Sequence, residues 1–320
     1  MDNSTQNIQK GRALAGFGKV FSGIGVVILV AGVILSATPA IAAGVITANA
    51  DNAAMHAAEN RTTLIYNDWG DHRVGADILC YMTGYNDPRV EKMFLPNDVG
   101  NYVGIRIGID VAGKATAMTK YSNLIVESTT PYLWFNAAEA TFLRAEYELR
   151  WGSEETAREL YEEAIRLSFE ERGASGADAY IADATSRPAA YTDPLGMYSA
   201  AAQSTITIAW APGADNFEEN LERIITQKWI AIFPLGVEAW SEHRRTGYPK
   251  LLPVPTDKSG GSVNVEQGAR RLPYPVEEYQ QNNTNLQTAI QTLDAEQQNG
   301  DRTGDVMGTR VWWDCKPYNK

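Results

Sequence analysis

Residues 132–173 read YLWFNAAEATFLRAEYELRWGSEETARELYEEAIRLSFEERG, and this stretch decides the fold. Over 132–150, Trp134, Ala137, Ala138, Thr141, Phe142, Ala145 and Leu149 recur at three-and-four spacing, which predicts one helical packing face. Gly152 and Ser153 interrupt it. Ser153 is a natural N-cap, and Glu154 and Glu155 fall in the next first turn, where the helix dipole favours anions. A second helix is expected over 154–172, with Ala157, Leu160, Tyr161, Ala164, Ile165 and Ser168 on one side. Arg158, Glu162 and Arg166 at four-residue steps make the opposite side a solvated, salt-bridged stripe, and Gly173 ends the helix.

A single helical pair cannot bury its own apolar face, so further helices must stack on it. Ala157, Tyr161 and Ala164 are spaced as in the second helix of a tetratricopeptide repeat, and Ala145 supplies the small residue needed in the first. Downstream, 217–233 is helical, with Leu221, Ile224, Ile225, Lys228, Trp229 and Ile232 on its packing side. Pro234 and Gly236 break it, and 237–245 resumes as a short helix. From Gly247 onward Pro249, Pro253, Pro255, Pro273 and Pro275 exclude long helices, and 279–293 reads as loop plus a short amphipathic helix. Residues 66–94, rich in Asn, Asp, Gly and aromatics, favour turns and short helices. Short strands are expected at 102–109 and 205–210. The fold class is therefore mostly α, with a loop-rich C-terminal part.

Composition bounds the function. The 320 residues are 44% hydrophobic and 21% charged, and the net charge of −11 argues against a nucleic-acid partner, which needs clustered Lys and Arg. Two cysteines, Cys80 and Cys315, cannot form a zinc site or a disulfide framework, and two buried thiols are favoured over a single bridge. His56, His72 and His243 lack metal-ligand spacing, and no nucleophile elbow, phosphate loop or dinucleotide fingerprint occurs. Paired carboxylates would suit a glycosidase, yet the Glu-rich 154–171 run belongs to a solvated helical face. No enzyme, metal or cofactor is expected.

The N-terminus is different in kind. Lys10, Arg12 and Lys19 precede an almost wholly apolar run at 20–35, and Ala40-Ile41-Ala42 follows. That order fits an export signal first, then a membrane-spanning helix or a helix buried in a core.

Eight Trp and fifteen Tyr supply flat apolar faces with polar edges, which stack on sugar C–H faces while Asn, Asp, Arg and Glu reach hydroxyls. Trp134, Trp229 and Trp240 lie at helical spacing and are assigned to the core, and of the adjacent Trp312 and Trp313 one is expected to pack under the domain. Trp69 stands apart. It sits in YNDWGDHR (66–73) on turn-prone backbone beside Asn67, Asp68, Asp71, His72 and Arg73, and loops carry ligand contacts more often than helical faces do. Trp210, before Ala211-Pro212-Gly213, is a second loop aromatic. Candidate ligand contacts are Asn67, Asp68, Trp69, His72, Arg73 and Trp210. Arg244 and Arg245 fit a helix C-terminus, an internal carboxylate or an acidic partner.

Three blocks carry a family resemblance: NLERIITQKWIAIFPLGVEAWSEHRRTGYP (220–249), RRLPYPVEEYQQN (270–282) and TRVWWD (309–314). In that order they resemble the C-terminal half of the SusD/RagB family, and the similarity runs from about Gly44 to Lys316. The resemblance implies a mostly helical fold with tetratricopeptide-like hairpins. It also implies attachment at the outer membrane, a TonB-dependent transporter as partner, and binding of an oligosaccharide or peptide nutrient without bond chemistry. The expected division is 1–43 as a signal-like or membrane segment and 44–320 as the helical domain. The family's N-terminal helical region is replaced here by the apolar run, and no Cys in or after that run offers lipid attachment. A truncated chain or one held by its apolar helix is therefore expected. The alternative reading is a helical-repeat scaffold that contacts only proteins.

Overall fold

Alanines set the spacing of the central helix pair. In the computed structural model, which describes residues 44–56, 59–111, 113–297 and 301–314, Ala137, Ala138, Ala145, Ala157 and Ala164 are fully buried. Along the chain the elements are β1 (Ala53–Met55), a π-helical turn (Leu64–Asp68), α1 (Ala76–Gly84), α2 (Val90–Met93), β2 (Phe94–Leu95) and α3 (Lys114–Lys120). After them come β3 (Asn123–Leu124), β4 (Tyr132–Phe135), α4 (Ala137–Trp151), α5 (Glu154–Glu171), α6 (Ala177–Ile181) and α7 (Phe217–Ala231). The chain ends with α8 (Gly236–Thr246), α9 (Val276–Gln281) and α10 (Asn283–Ala295). The apolar run at 20–35 lies outside the described residues. Among the described residues no helix is long and apolar enough to cross a membrane.

Two units form. The larger comprises Ile46–Ala239 with Tyr248–Lys258; the smaller holds Trp240–Gly247 and the chain from Ser259 onward. In the larger unit α4 and α5 pack along their length and α7 lies against α4. Small residues on the facing sides let the backbones approach closely, and Tyr161 fills the groove, its hydroxyl donating to the Ile208 carbonyl at 2.7 Å. Below the hairpin sits a buried polar centre. Arg89 pairs with Asp87 at 2.6 Å, both side chains fully buried, and donates to Ser168 Oγ at 2.8 Å and Gln227 Oε1 at 3.0 Å. Its guanidinium also faces the Phe169 ring at 4.7 Å, so one cation ties the 87–89 turn to α5 and α7.

The hairpin begins later than its periodicity predicts. Residues Tyr132–Phe135 form β4, paired antiparallel with β1, Ala53 opposite Phe135 and Met55 opposite Tyr132. Four consecutive bulky residues favour a pleated strand. Asn136 then starts α4 from an extended conformation, its side chain accepting from Glu139 N at 2.8 Å. Trp134 consequently points outward and is 66% exposed, not core. Ser153 caps α5 as expected, accepting from Thr156 N at 3.4 Å. The expected strand at 205–210 does not form. Ile206 and Ile208 are buried there, and their carbonyls accept from the hydroxyls of Tyr85 and Tyr161 instead of from a neighbouring strand. Similarly, 102–109 makes only an isolated bridge, Ile105 to Gly75.

In the smaller unit the tail is clasped by arginines. Arg270 pairs with Asp314, both buried, its Nε donating to Asp314 Oδ2 at 2.5 Å. Arg244 lies between two indoles, 3.6 Å from the Trp240 ring and 4.6 Å from that of Trp313, and donates to the Arg270 carbonyl at 2.7 Å. Burial, with the Arg270 charge beside it, pushes the Arg244 pKa down to about 10. Arg245 pairs with Glu242 at 2.6 Å. The twin arginines thus serve internal contacts. Trp240 is half-buried and donates from its indole N–H to the Ala269 carbonyl at 2.8 Å. Trp313 packs while Trp312 is 41% exposed, the opposite-side arrangement expected of adjacent residues. Residues 276–295 contain two helices in place of loop plus one.

Candidate functional site

Asparagine builds the turn that carries Trp69. Asn60 is buried, donates from Nδ2 to the Thr130 carbonyl at 2.7 Å and accepts from Thr62 N at 2.9 Å. Its own N–H donates to the Ser128 carbonyl at 2.7 Å, so the entrance to the turn is fixed on the 128–130 segment. Asn67 donates to the Val126 carbonyl at 3.1 Å, and Asn123 donates to the Tyr66 carbonyl at 3.1 Å. The backbone N–H of Trp69 closes the π-helical turn on the Leu64 carbonyl at 2.7 Å. Gly70 leaves it at φ +64°, a left-handed conformation that strains any residue with a Cβ, and it lies against the Met118 side chain of α3. Lys114, one turn before Met118 on α3, pairs with Asp71 at 2.7 Å.

On this braced support Trp69 is 55% exposed. Asn67, Asp68 and His72 are also exposed, and the Asp68 carboxylate has no hydrogen bond or ion pair among the described residues. The His72 ring lies 6.0 Å from that of Tyr66. Arg73 is half-buried and turns back, donating to the His72 carbonyl at 2.6 Å, while burial pushes its pKa down. The structure therefore gathers Asn67, Asp68, Trp69 and His72 on one exposed turn, with Arg73 in its base. Such a surface offers an apolar ring face flanked by acceptors and donors for hydroxyl groups.

Trp210 is placed differently. Its indole N–H donates to Glu154 Oε1 at 3.3 Å at the start of α5, and its ring lies 5.5 Å from that of Tyr161. It is half-buried and packs on the hydrophobic core. Lys114 and Met118 are the contributors that sequence reasoning missed. Their four-residue spacing marks one helix face, but nothing in the sequence links that face to a tryptophan 45 and 49 positions earlier.

Elsewhere in the larger unit the cavity lined by Asp77, Cys80, Tyr81, Gln203, Lys250 and Leu252 has a volume of about 10 Å³, room for one water and not for a sugar. Burial, aided by the Asp77 carboxylate, pushes the Cys80 thiol up to about 12, so it stays protonated and unreactive. Cys80 carries no disulfide, and Cys315 lies outside the described residues.

The helical-hairpin scaffold is tetratricopeptide-like in form. The family described as "SusD-like: Susd and RagB outer membrane lipoprotein" matches residues 35–314, and the chain belongs to that family. Among solved structures, a SusD homologue from Bacteroides thetaiotaomicron VPI-5482 is 52% identical with a TM-score of 0.81, the match covering 88% of this chain and 60% of that one. A homologue from Bacteroides ovatus ATCC 8483 is 43% identical at a TM-score of 0.79, covering 87% and 59%. A chitin-binding SusD homologue from Flavobacterium johnsoniae is 41% identical at a TM-score of 0.76, covering 86% and 56%. No curated protein matches. The chain thus spans about 60% of the length of the solved relatives, and over that span it has their helical fold.

Proposed function

We propose that this protein binds a nutrient glycan at the outer cell surface and passes it to a TonB-dependent transporter, without making or breaking bonds. The observation that carries the reading is the Trp69 turn, an exposed indole on a backbone fixed by Asn60, Asn67 and Asn123, beside the unpaired Asp68 carboxylate. An indole held rigidly stacks on a pyranose face at little entropic cost, and a carboxylate without an internal partner accepts from sugar hydroxyls. Family membership and the chitin-binding homologue support a carbohydrate ligand, and the family's description as outer membrane lipoproteins supports the location. His72 completes the same contact surface, Arg73 supports it from beneath, and Trp210 holds the α5 end of the scaffold.

The test is calorimetric titration with chitooligosaccharides and other neutral oligosaccharides, with product analysis of each mixture. Ligand is expected to bind and be recovered intact, and Trp69→Ala to weaken binding about tenfold or more, as loss of a buried aromatic anchor does. Shorter products would establish a hydrolase. Co-purification with a transporter while every sugar is ignored would favour the protein-only scaffold.

A further inference from the structure

A second aromatic surface lies at the opposite end of the central hairpin from β4. Tyr147 and Trp151, four residues apart on the last turns of α4, are 40% and 64% exposed, and their rings meet at a centroid distance of 5.5 Å and an angle of 52°. The support beneath them is rigid. On the same helix Phe142 and Ala145 are fully buried, and Arg150 is fixed by Glu146 at 2.7 Å. The α4–α5 corner is fixed too, because Glu148 accepts from Ser153 N at 3.1 Å and its carboxylate occupies the space that a side chain at Gly152 would need.

We propose that Tyr147 and Trp151 form a second carbohydrate-contact site, separate from the Trp69 turn, which takes two successive pyranose units of a polysaccharide. The assignment rests on the glycan-binding reading above. The two rings are inclined at 52° to each other, so together they fit a twisted chain of sugar rings better than a flat partner. Area decides against protein docking: Tyr147 and Trp151 are the only exposed large hydrophobic residues described on α4 and α5. Two rings among charged neighbours fall far below the ~800 Å² per partner of a stable protein interface. Neither ring belongs to the hydrophobic core. Two separated sites on one scaffold would raise affinity for long chains over short ones through effective concentration.

Native affinity electrophoresis in glycol chitin, hydroxyethyl cellulose, xyloglucan and laminarin tests this, comparing wild type, Trp69→Ala, the double variant Tyr147→Ala/Trp151→Ala, and Tyr147→Phe/Trp151→Phe. In whichever polymer retards the wild type, the double alanine variant is expected to lower apparent affinity about tenfold or more, consistent with lost avidity. The phenylalanine variant should keep most of it, since rings remain. Thermal melting should be unchanged in both, because the side chains are exposed. Retardation equal to wild type in the double alanine variant overturns the second site and leaves the Trp69 reading standing. No retardation of wild type in any polymer overturns both. A change in sedimentation of the double alanine variant with unchanged retardation assigns the surface to protein contact and likewise overturns it.

Discussion

At the scale of single residues, the candidate site depends on a buried asparagine at its entrance. Asn60 satisfies one backbone carbonyl and one backbone N–H at the entrance to the Trp69 turn. Removing it leaves both without partners, at about 1–3 kcal/mol. Asn60→Ala is therefore expected to lower the urea midpoint by that equivalent and to weaken glycan binding, whereas Trp69→Ala weakens binding alone. Comparing the two by denaturation and titration separates the brace from the contact. Arg89 presents a starker case. Deleting its charge by Arg89→Met strands the fully buried Asp87 carboxylate, and losing one partner of such a pair costs about 3–5 kcal/mol. Equilibrium urea unfolding should register a loss in that range, comparable to a large share of a domain's total stability.

At the scale of elements, caps decide where helices begin more firmly than periodicity does. Residues 132–150 show helical spacing throughout, yet the helix starts only after Asn136. Asn136 also donates to Glu171 Oε2 at 2.8 Å, so it joins the beginning of α4 to the end of α5. Asn136→Ala is expected to cost about 1–2 kcal/mol from the cap, read as a lower thermal midpoint, and Asn136→Asp, which keeps the cap acceptor but sets a buried carboxylate against that of Glu171, should be no less destabilising. The β1–β4 pair is the element that sequence left invisible. Three residues of β1 carry no alternating pattern, and the strand exists because β4 offers it a partner. The tyrosine-bonded stretch around Ile206 and Ile208 is the converse, an apolar run that reads as a strand and finds hydroxyl groups in place of a ladder.

At the scale of the whole molecule, charge bears on the proposed ligand and on acid stability. A net charge of −11 repels polyanions at low ionic strength, so uronate-rich polysaccharides should bind more weakly than neutral ones, with the gap narrowing as salt rises. Affinity measured against ionic strength checks this. In the smaller unit Asp305 accepts from Tyr274 N at 3.0 Å and from the Tyr279 hydroxyl at 2.6 Å, and pairs with Arg271. Burial raises its pKa, but those hydrogen bonds and the Arg271 charge outweigh burial and hold the carboxyl below its ordinary 3.8. A depressed pKa means that the stabilisation is present above about pH 4 and is lost as pH falls through the folded value. Acid titration followed by tryptophan fluorescence should therefore show Asp305→Asn flattening the decline in stability below pH 4.

The fold class, the central hairpin and the capping of α5 were legible in the amino-acid order, because spacing, small residues and breakers are local quantities. The aromatic turn at 66–73 was legible as well, since turn-prone Asn, Asp and Gly surround Trp69. Tertiary structure alone decided which aromatics face outward. Trp134 and Trp210 look alike as residues, yet pairing with β1 exposes the first and Glu154 with Tyr161 anchors the second. It also decided that Lys114 and Met118 hold the Trp69 turn. Sequence fixes the propensity of each segment, but exposure depends on which distant segment arrives to cover it, and that is settled only when the chain closes on itself.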